Sequence, residues 1–406
     1  MREPRTGTGV GRPKVLLATP VLLLGGTEVH ILDLVRVLVA AGYDTLVCCY
    51  CEHDAAIVEA VRREGARVTL LGIGRRGGRL GPNGVARLVR RFGAEIRQFQ
   101  PDILHVQYLA PGLLPVAVAR LAGQKTIFAT VHIAGADYYG PRARFLLRRA
   151  ASLCTAFFCV SRAVESFWFG SSRLLDPTGV GDGRRHFTIY NAVPCEQIEE
   201  VVGSVDRQVL RNELGVDDSP VVGFVGRLAH QKGLPSLVRA FATVAQAVPG
   251  AKLVVVGDGP ERAGLERDLQ ERGLHDRTLL LGAQTRERVF RYLSIFDVLA
   301  VPSLYEGFGL MAAEAGAASV PAVASAVAGL SEVVEDEVTG LLVAPGDAEG
   351  LAVALIRLLG DPARRLAMGE AARESVRRRF SFDGFQAATL AAYRRFFPGR
   401  FDARKT

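Results

Sequence analysis

Two glutamates, Glu306 and Glu314, stand in VPSLYEGFGLMAAEAG (301–316), a stretch otherwise made almost wholly of apolar or small residues. An ionised carboxylate only accepts hydrogen bonds, and burying one without partners is expensive. Two of them at separate stations along a pocket suit a ligand studded with hydroxyls, such as a sugar at one end and a ribose at the other. The strand-like Leu299-Ala-Val-Pro-Ser303 puts Glu306 in the loop beyond a strand's carboxyl end. Gly307, Phe308 and Gly309 follow, and Gly307 and Gly309 open the backbone so that loop amides can reach ligand oxygens. A helix starting near Leu310 places Glu314 in its first or second turn, where the helix dipole favours negative charge. A helix cap beside one solvated glutamate is the bland alternative for the same pattern.

Cations of matching chemistry occur earlier. After VVGFVG come Arg227, Lys232-Gly233 and then Leu234-Pro235 opening a helix, where proline is tolerated because that amide is unpaired anyway. Two cations beside the positive end of a helix make an anion site suited to a diphosphate. Gly25-Gly26 lies between the first strand and a helix with Glu28 in its first turn; glycines there let backbone approach a ligand, although any tight turn uses them too. His132 ends the strand TIFATVH at the lip of its domain, a better position for a site residue than an apolar face.

Other patterns argue against competing chemistry. In GDGPER (257–262) Arg262 occupies the third glycine position of a dinucleotide fingerprint and Pro260 interrupts the loop; GTGVG (7–11) precedes its strand instead of following it. NAD binding is disfavoured. Cys48-Cys49-Tyr50-Cys51 lacks C-x-x-C spacing and lies in a strand-like run, so it reads as buried strand and not as a metal site.

The elements that position these residues repeat through the chain. KVLLAT (14–19), DTLVCCY (44–50), ARVTLL (66–71), DILHVQ (102–107) and TIFATVH (126–132) alternate with helical patterns near 27–41, 54–64, 83–99 and 112–122. After an irregular stretch at about 191–218, strands recur at 221–227, 252–257, 278–282, 297–303, 322–325 and 340–345. Apolar strands separated by helices mean parallel sheets covered on both faces, with ligands beyond the strands' carboxyl ends. The fold class expected is α/β, two Rossmann-like domains facing a cleft: residues 1–190, with about the first 13 disordered, and residues 191–382. A final helical segment, 383–406, follows.

The 406 residues are 49% hydrophobic, enough for sizeable cores, and hold no uninterrupted apolar run long enough to span a membrane. Six cysteines without an export signal read as reduced thiols in a cytoplasmic protein. The net charge of +8 lies entirely in the first half: residues 1–200 carry 25 Lys and Arg against 17 Asp and Glu. Such a field suits an anionic partner. The loop GRRGGRLG (74–81) and the segment RARFLLRRAASLCTAFF (142–158), with Arg144 and Arg148 four apart, present basic and apolar residues to lipid headgroups, or else form an ordinary solvated face. A nucleic-acid binder is disfavoured, because no recognition motif or aromatic platform accompanies the charge.

These stretches, with VSRAVESF (160–167), TIYNAVP (188–194) and EVTGLLVAPGD (337–347), resemble in order and spacing the retaining glycosyltransferases of family four, enzymes of GT-B architecture. The resemblance covers nearly the whole chain. It implies a metal-independent, cytoplasmic enzyme, either free or peripheral at the inner face of the membrane, that moves a hexosyl unit from a UDP- or GDP-sugar to a hydroxyl acceptor: a glycolipid, a polysaccharide or a small molecule. It also implies no tightly bound cofactor, and a final helix, 383–406, that crosses back to the first domain. The absence of a D-x-D motif agrees with a route that needs no metal. By the resemblance Glu306 and the amides of Gly307, Phe308, Gly309 and Leu310 hold the donor sugar and Glu314 the ribose. Arg227, Lys232, Gly25 and Gly26 flank the diphosphate, and His132 lines the sugar site. Ser319-Val-Pro321 departs from the family's Gly-x-Pro, so a slightly different helix exit is expected. Nucleotide-sugar epimerases share the fold and remain the alternative.

Overall fold

The computed structural model describes residues 12–23, 25–75, 80–108, 113–133, 140–178 and 183–397. Among these the first sheet contains β1 (Lys14–Thr19), β2 (Asp44–Cys49), β3 (Arg67–Leu70), β4 (Ile103–Tyr108), β5 (Ile127–Val131), β6 (Ala156–Cys159) and β7 (His186–Thr188), ordered β3-β2-β1-β4-β5-β6-β7. The second contains β8 (Val221–Val225), β9 (Lys252–Val256), β10 (Thr278–Leu280), β11 (Val298–Val301), β12 (Ala322–Ser325) and β13 (Gly340–Val343), ordered β10-β9-β8-β11-β12-β13. All pairings are parallel, as in β1 with β4 and β8 with β11. In both sheets the order reverses beside the first strand. The crevices lie between β1 and β4 and between β8 and β11, where open parallel sheets bind ligands.

Continuous apolar strands explain the sheets: β1, β5 and β12 are buried almost throughout, as expected of strands covered on both faces. The sequence reading missed β6 and β7. AFFC follows a basic helix after only Leu153-Cys154-Thr155, with no glycine or proline between, and HFT spans only three residues. The irregular stretch at 191–218 contains two helices, Cys195–Ser204 and Arg207–Glu213. One apolar cluster joins both sheets, reaching from Leu16 and Val106 to Val254 and Leu299.

The last described helix, Phe382–Phe396, packs on the first sheet's side of the molecule. Tyr393 OH pairs with His105 Nδ1 at 2.8 Å, and Phe385 lies edge-on to His30. The segment 142–158 does not form one amphipathic surface, because its helix is Pro141–Ser152 and Ala156–Cys159 is a buried strand. Arg144 sits over the Phe167 ring, and Arg148 Nε donates to the Trp168 carbonyl. The outward residues include Arg142, Phe145, Leu146 and Arg149, and Arg148 is exposed with them. Arg75 of the 74–81 loop pairs with Glu52; residues 76–79 fall outside the described residues.

Candidate active site

The loops after β8 and β11 are neighbours because their strands are. The Leu304 amide donates to the Gln231 carbonyl at 2.8 Å, knitting the two loops together. That contact brings Lys232, at the end of a short 3-10 turn, against Glu306, and the two form an ion pair. Ser303 Oγ donates to the same carboxylate oxygen at 3.1 Å. Arg227 is exposed, with no hydrogen bond or ion pair among the described residues. The glycines of the failed dinucleotide fingerprint shape its loop. A Cβ on Gly257 would overlap the Gly226 carbonyl, and one on Gly259 the Leu228 carbonyl, so only glycine lets these two loops lie backbone to backbone.

Glu314 lies in the second turn of the Leu310–Ala317 helix and is 4% exposed. Arg286, which opens the Arg286–Leu293 helix, meets one oxygen of this carboxylate through Nη2 at 2.6 Å and Nε at 3.0 Å. Sequence reading missed this cation, whose only signal was a basic residue soon after a strand's carboxyl end. The helix exit keeps the left-handed turn: Ser319 itself adopts φ 58°. Nearby, Gln284 donates to the Leu281 carbonyl, and the Gly282 carbonyl accepts the Gly257 amide.

The first domain closes directly on these groups. A Cβ on Gly307 would overlap the His132 carbonyl oxygen, and the Gly307 carbonyl accepts from Ser161 Oγ at 2.7 Å. A Cβ on Gly26 would lie 3.3 Å from Leu310 Cδ1. Glu332 of the second domain accepts the Arg162 and Ala163 amides that open a first-domain helix, and the Tyr190 hydroxyl. Gly26 and His132 of the first domain therefore meet Leu310 and Gly307 of the second at one seam, with Gly25 and Gly309 beside them in the chain and the Lys232–Glu306 pair on its second-domain side. Phe308 points away from solvent and packs against Phe380 and Tyr190.

On the first-domain wall burial disfavours charge. Burial raises the Glu28 carboxyl to about 7 against the opposing pull of Arg227, and raises Asp33 to about 6 against that of Arg286. Burial lowers His30 to about 4 and His132 well below the ordinary histidine range, with His30 and His105 adding to the shift in His132. His132 Nε2 lies 2.8 Å from Gln107 Oε1, and its ring meets His30 edge-on with centroids 4.8 Å apart.

Two Rossmann-like domains closing on a seam of this composition define a GT-B glycosyltransferase. Residues 24–169 match the model of Glycosyltransferase Family 4, and residues 206–375 that of Glycosyl transferases group 1. The 2-deoxystreptamine glucosyltransferase of Streptomyces kanamyceticus is 33% identical over 76% of this chain and 79% of that enzyme. The N-acetyl-alpha-D-glucosaminyl L-malate synthase of Bacillus anthracis is 31% identical over 71% and 73%. The chain belongs to the family-four glycosyltransferases. It spans about half the length of several other curated relatives. Among solved structures, HepE of Anabaena in complex with UDP-glucose superposes with a TM-score of 0.75 at 21% identity, covering 93% of this chain and 98% of that one. No helix among the described residues is long and apolar enough to cross a membrane.

Proposed function

We propose that the chain transfers a hexosyl unit from a nucleoside-diphosphate sugar to a hydroxyl acceptor, without a metal and with retention of anomeric configuration. The observation that carries this reading is the pair of charge-compensated carboxylates, Lys232–Glu306 and Arg286–Glu314, at the seam opposite His132. A carboxylate that gives up its cation can accept hydrogen bonds from ligand hydroxyls in its place. In this reading the diphosphate takes Lys232 and Arg227, Glu306 and the amides of Gly307 to Leu310 receive the sugar, and Glu314 takes the ribose diol. As the bond between anomeric carbon and phosphate oxygen breaks, negative charge grows on the leaving diphosphate. The two cations and the amides opening the Leu234–Ala247 helix stabilise it in place, the kind of term that usually dominates such barriers. Gly25 and Gly26 give the diphosphate room from the first domain.

UDP in the bound neighbours supports a uridine donor, and relatives named for 2-deoxystreptamine and L-malate support a small polyhydroxylated acceptor. The domains divide near residues 190 and 382. Six buried, free cysteines support a reducing, cytoplasmic setting. Arg142, Phe145, Leu146 and Arg149 form the face best suited to peripheral contact with anionic lipid at the inner membrane surface; sedimentation with anionic vesicles, abolished by Phe145→Ser with Arg149→Glu, checks it.

The test is incubation of the purified protein with UDP-, GDP- and ADP-sugars, with and without acceptor polyols, in EDTA. Transfer to an added acceptor with the donor's anomeric configuration, read from the proton coupling constant, supports the assignment. Interconversion of the sugar nucleotide without acceptor indicates an epimerase, and dependence on added divalent metal removes the metal-independent route.

A further inference from the structure

Gln107 is the last buried polar residue of β4, 1% exposed, on a strand whose other side chains are mostly apolar. Its Oε1 faces His132 Nε2 at 2.8 Å. Its own Nε2 is buried and has no hydrogen-bond partner among the described residues. A leucine would fill this place without an orphaned donor, and an unpaired buried amide is destabilising, so packing alone does not account for glutamine here. What glutamine does, and leucine cannot, is choose which imidazole nitrogen of its neighbour carries the proton.

From this juxtaposition we infer that Gln107 is a positioning residue for transfer, holding His132 as the neutral Nε2–H tautomer so that its Nδ1 presents a lone pair to a substrate hydroxyl. The inference rests on the reading of His132 as a site residue. An imidazole's tautomer follows from the bond its other nitrogen makes. With Nε2–H donated to Gln107, His132 accepts at Nδ1 and has no proton to give there. It therefore orients a hydroxyl that donates toward it and does not protonate a leaving group. The surroundings agree, since His30 and His105 pack nearby and disfavour a charged ring. His30 is itself fixed by Asn191 at 3.0 Å, so the ring that flanks His132 edge-on is also held in place.

The experiment uses the full chain labelled with 15N-histidine and measures ring-nitrogen shifts and long-range proton–nitrogen couplings at pH 8, alongside steady-state kinetics. The expected wild-type His132 signal is the Nε2–H tautomer. Gln107→Met removes the acceptor at similar volume; it should leave a tautomer mixture and lower kcat on the order of tenfold, with donor KM nearly unchanged, as when a partner orienting a functional imidazole is lost. Gln107→Glu keeps an acceptor oxygen in place and should restore the Nε2–H signal, a rescue that a purely structural role does not produce. A proton on Nδ1 in the wild type overturns the inference. So does a Gln107→Met protein with unchanged tautomer and kcat while His132→Ala is inactive. If His132→Ala retains full turnover, the site reading and this inference fall together.

Discussion

The two walls of the seam solve the same problem in opposite ways. On the second-domain side, acids are met by opposite charge: half-buried Glu306 by Lys232 and buried Glu314 by Arg286. On the first-domain side, buried Glu28, Asp33 and His30 and half-buried His132 have no ion pair of comparable closeness among the described residues, and desolvation pushes each toward its neutral form. Charge pairing makes a wall that can trade partners with an anionic, polyhydroxylated ligand. Neutral groups make a wall that hydrogen-bonds and excludes water. In the proposed function, the donor's diphosphate meets the first kind of wall and an uncharged hydroxyl acceptor the second.

The comparison breaks most visibly at the charged wall. Lys232→Ala and Glu306→Gln should each lower transfer by roughly 100-fold or more in steady-state assays while circular dichroism stays native, because preorganised charge at the leaving group is worth that much. Arg286→Ala leaves Glu314 buried and unpaired, and should cost about 3 kcal/mol in urea melts. Added UDP should recover part of that loss if the ribose takes the arginine's place.

The neutral wall answers to pH. The folded protein holds the Glu28 proton more tightly than the unfolded chain, near 7 against an ordinary 4.5. Stability from this group is complete below pH 4.5 and lost as pH rises through 7. Glu28→Gln, neutral throughout, should therefore be more stable than the wild type at pH 8 by roughly 2 kcal/mol, with the gap closing below about pH 5 in paired thermal melts. Parallel curves across that range would show that Glu28 is not desolvated. The smallest effect belongs to the helix exit. Ser319→Gly relieves a left-handed conformation at a non-glycine residue and should add up to about 1 kcal/mol, the gain in the fold exceeding the entropy cost of glycine.

Much of this architecture was legible because strands buried on both faces are continuous apolar runs, and β1, β8 and β12 announce themselves that way. β6 was not, since AFFC follows a basic amphipathic helix with no glycine or proline between, and its Phe157 and Phe158 looked like part of that helix. Lys232 and Glu306 were legible as residues of loops after strands, but their pairing depends on β8 and β11 being sheet neighbours, which no local pattern encodes. Arg286 reaches Glu314 across 28 positions, and its role exists only once the helix it opens is docked. Gln107 carried a faint signal, a polar residue at the carboxyl end of a buried strand, the same signal that singled out His132.

The most direct test is a crystal structure of the chain with UDP or a UDP-sugar bound. The account predicts a diphosphate within hydrogen-bond distance of Arg227 and Lys232, with the Lys232–Glu306 and Arg286–Glu314 pairs opened and each glutamate on a ligand hydroxyl. Nucleotide bound elsewhere with both pairs intact would contradict it.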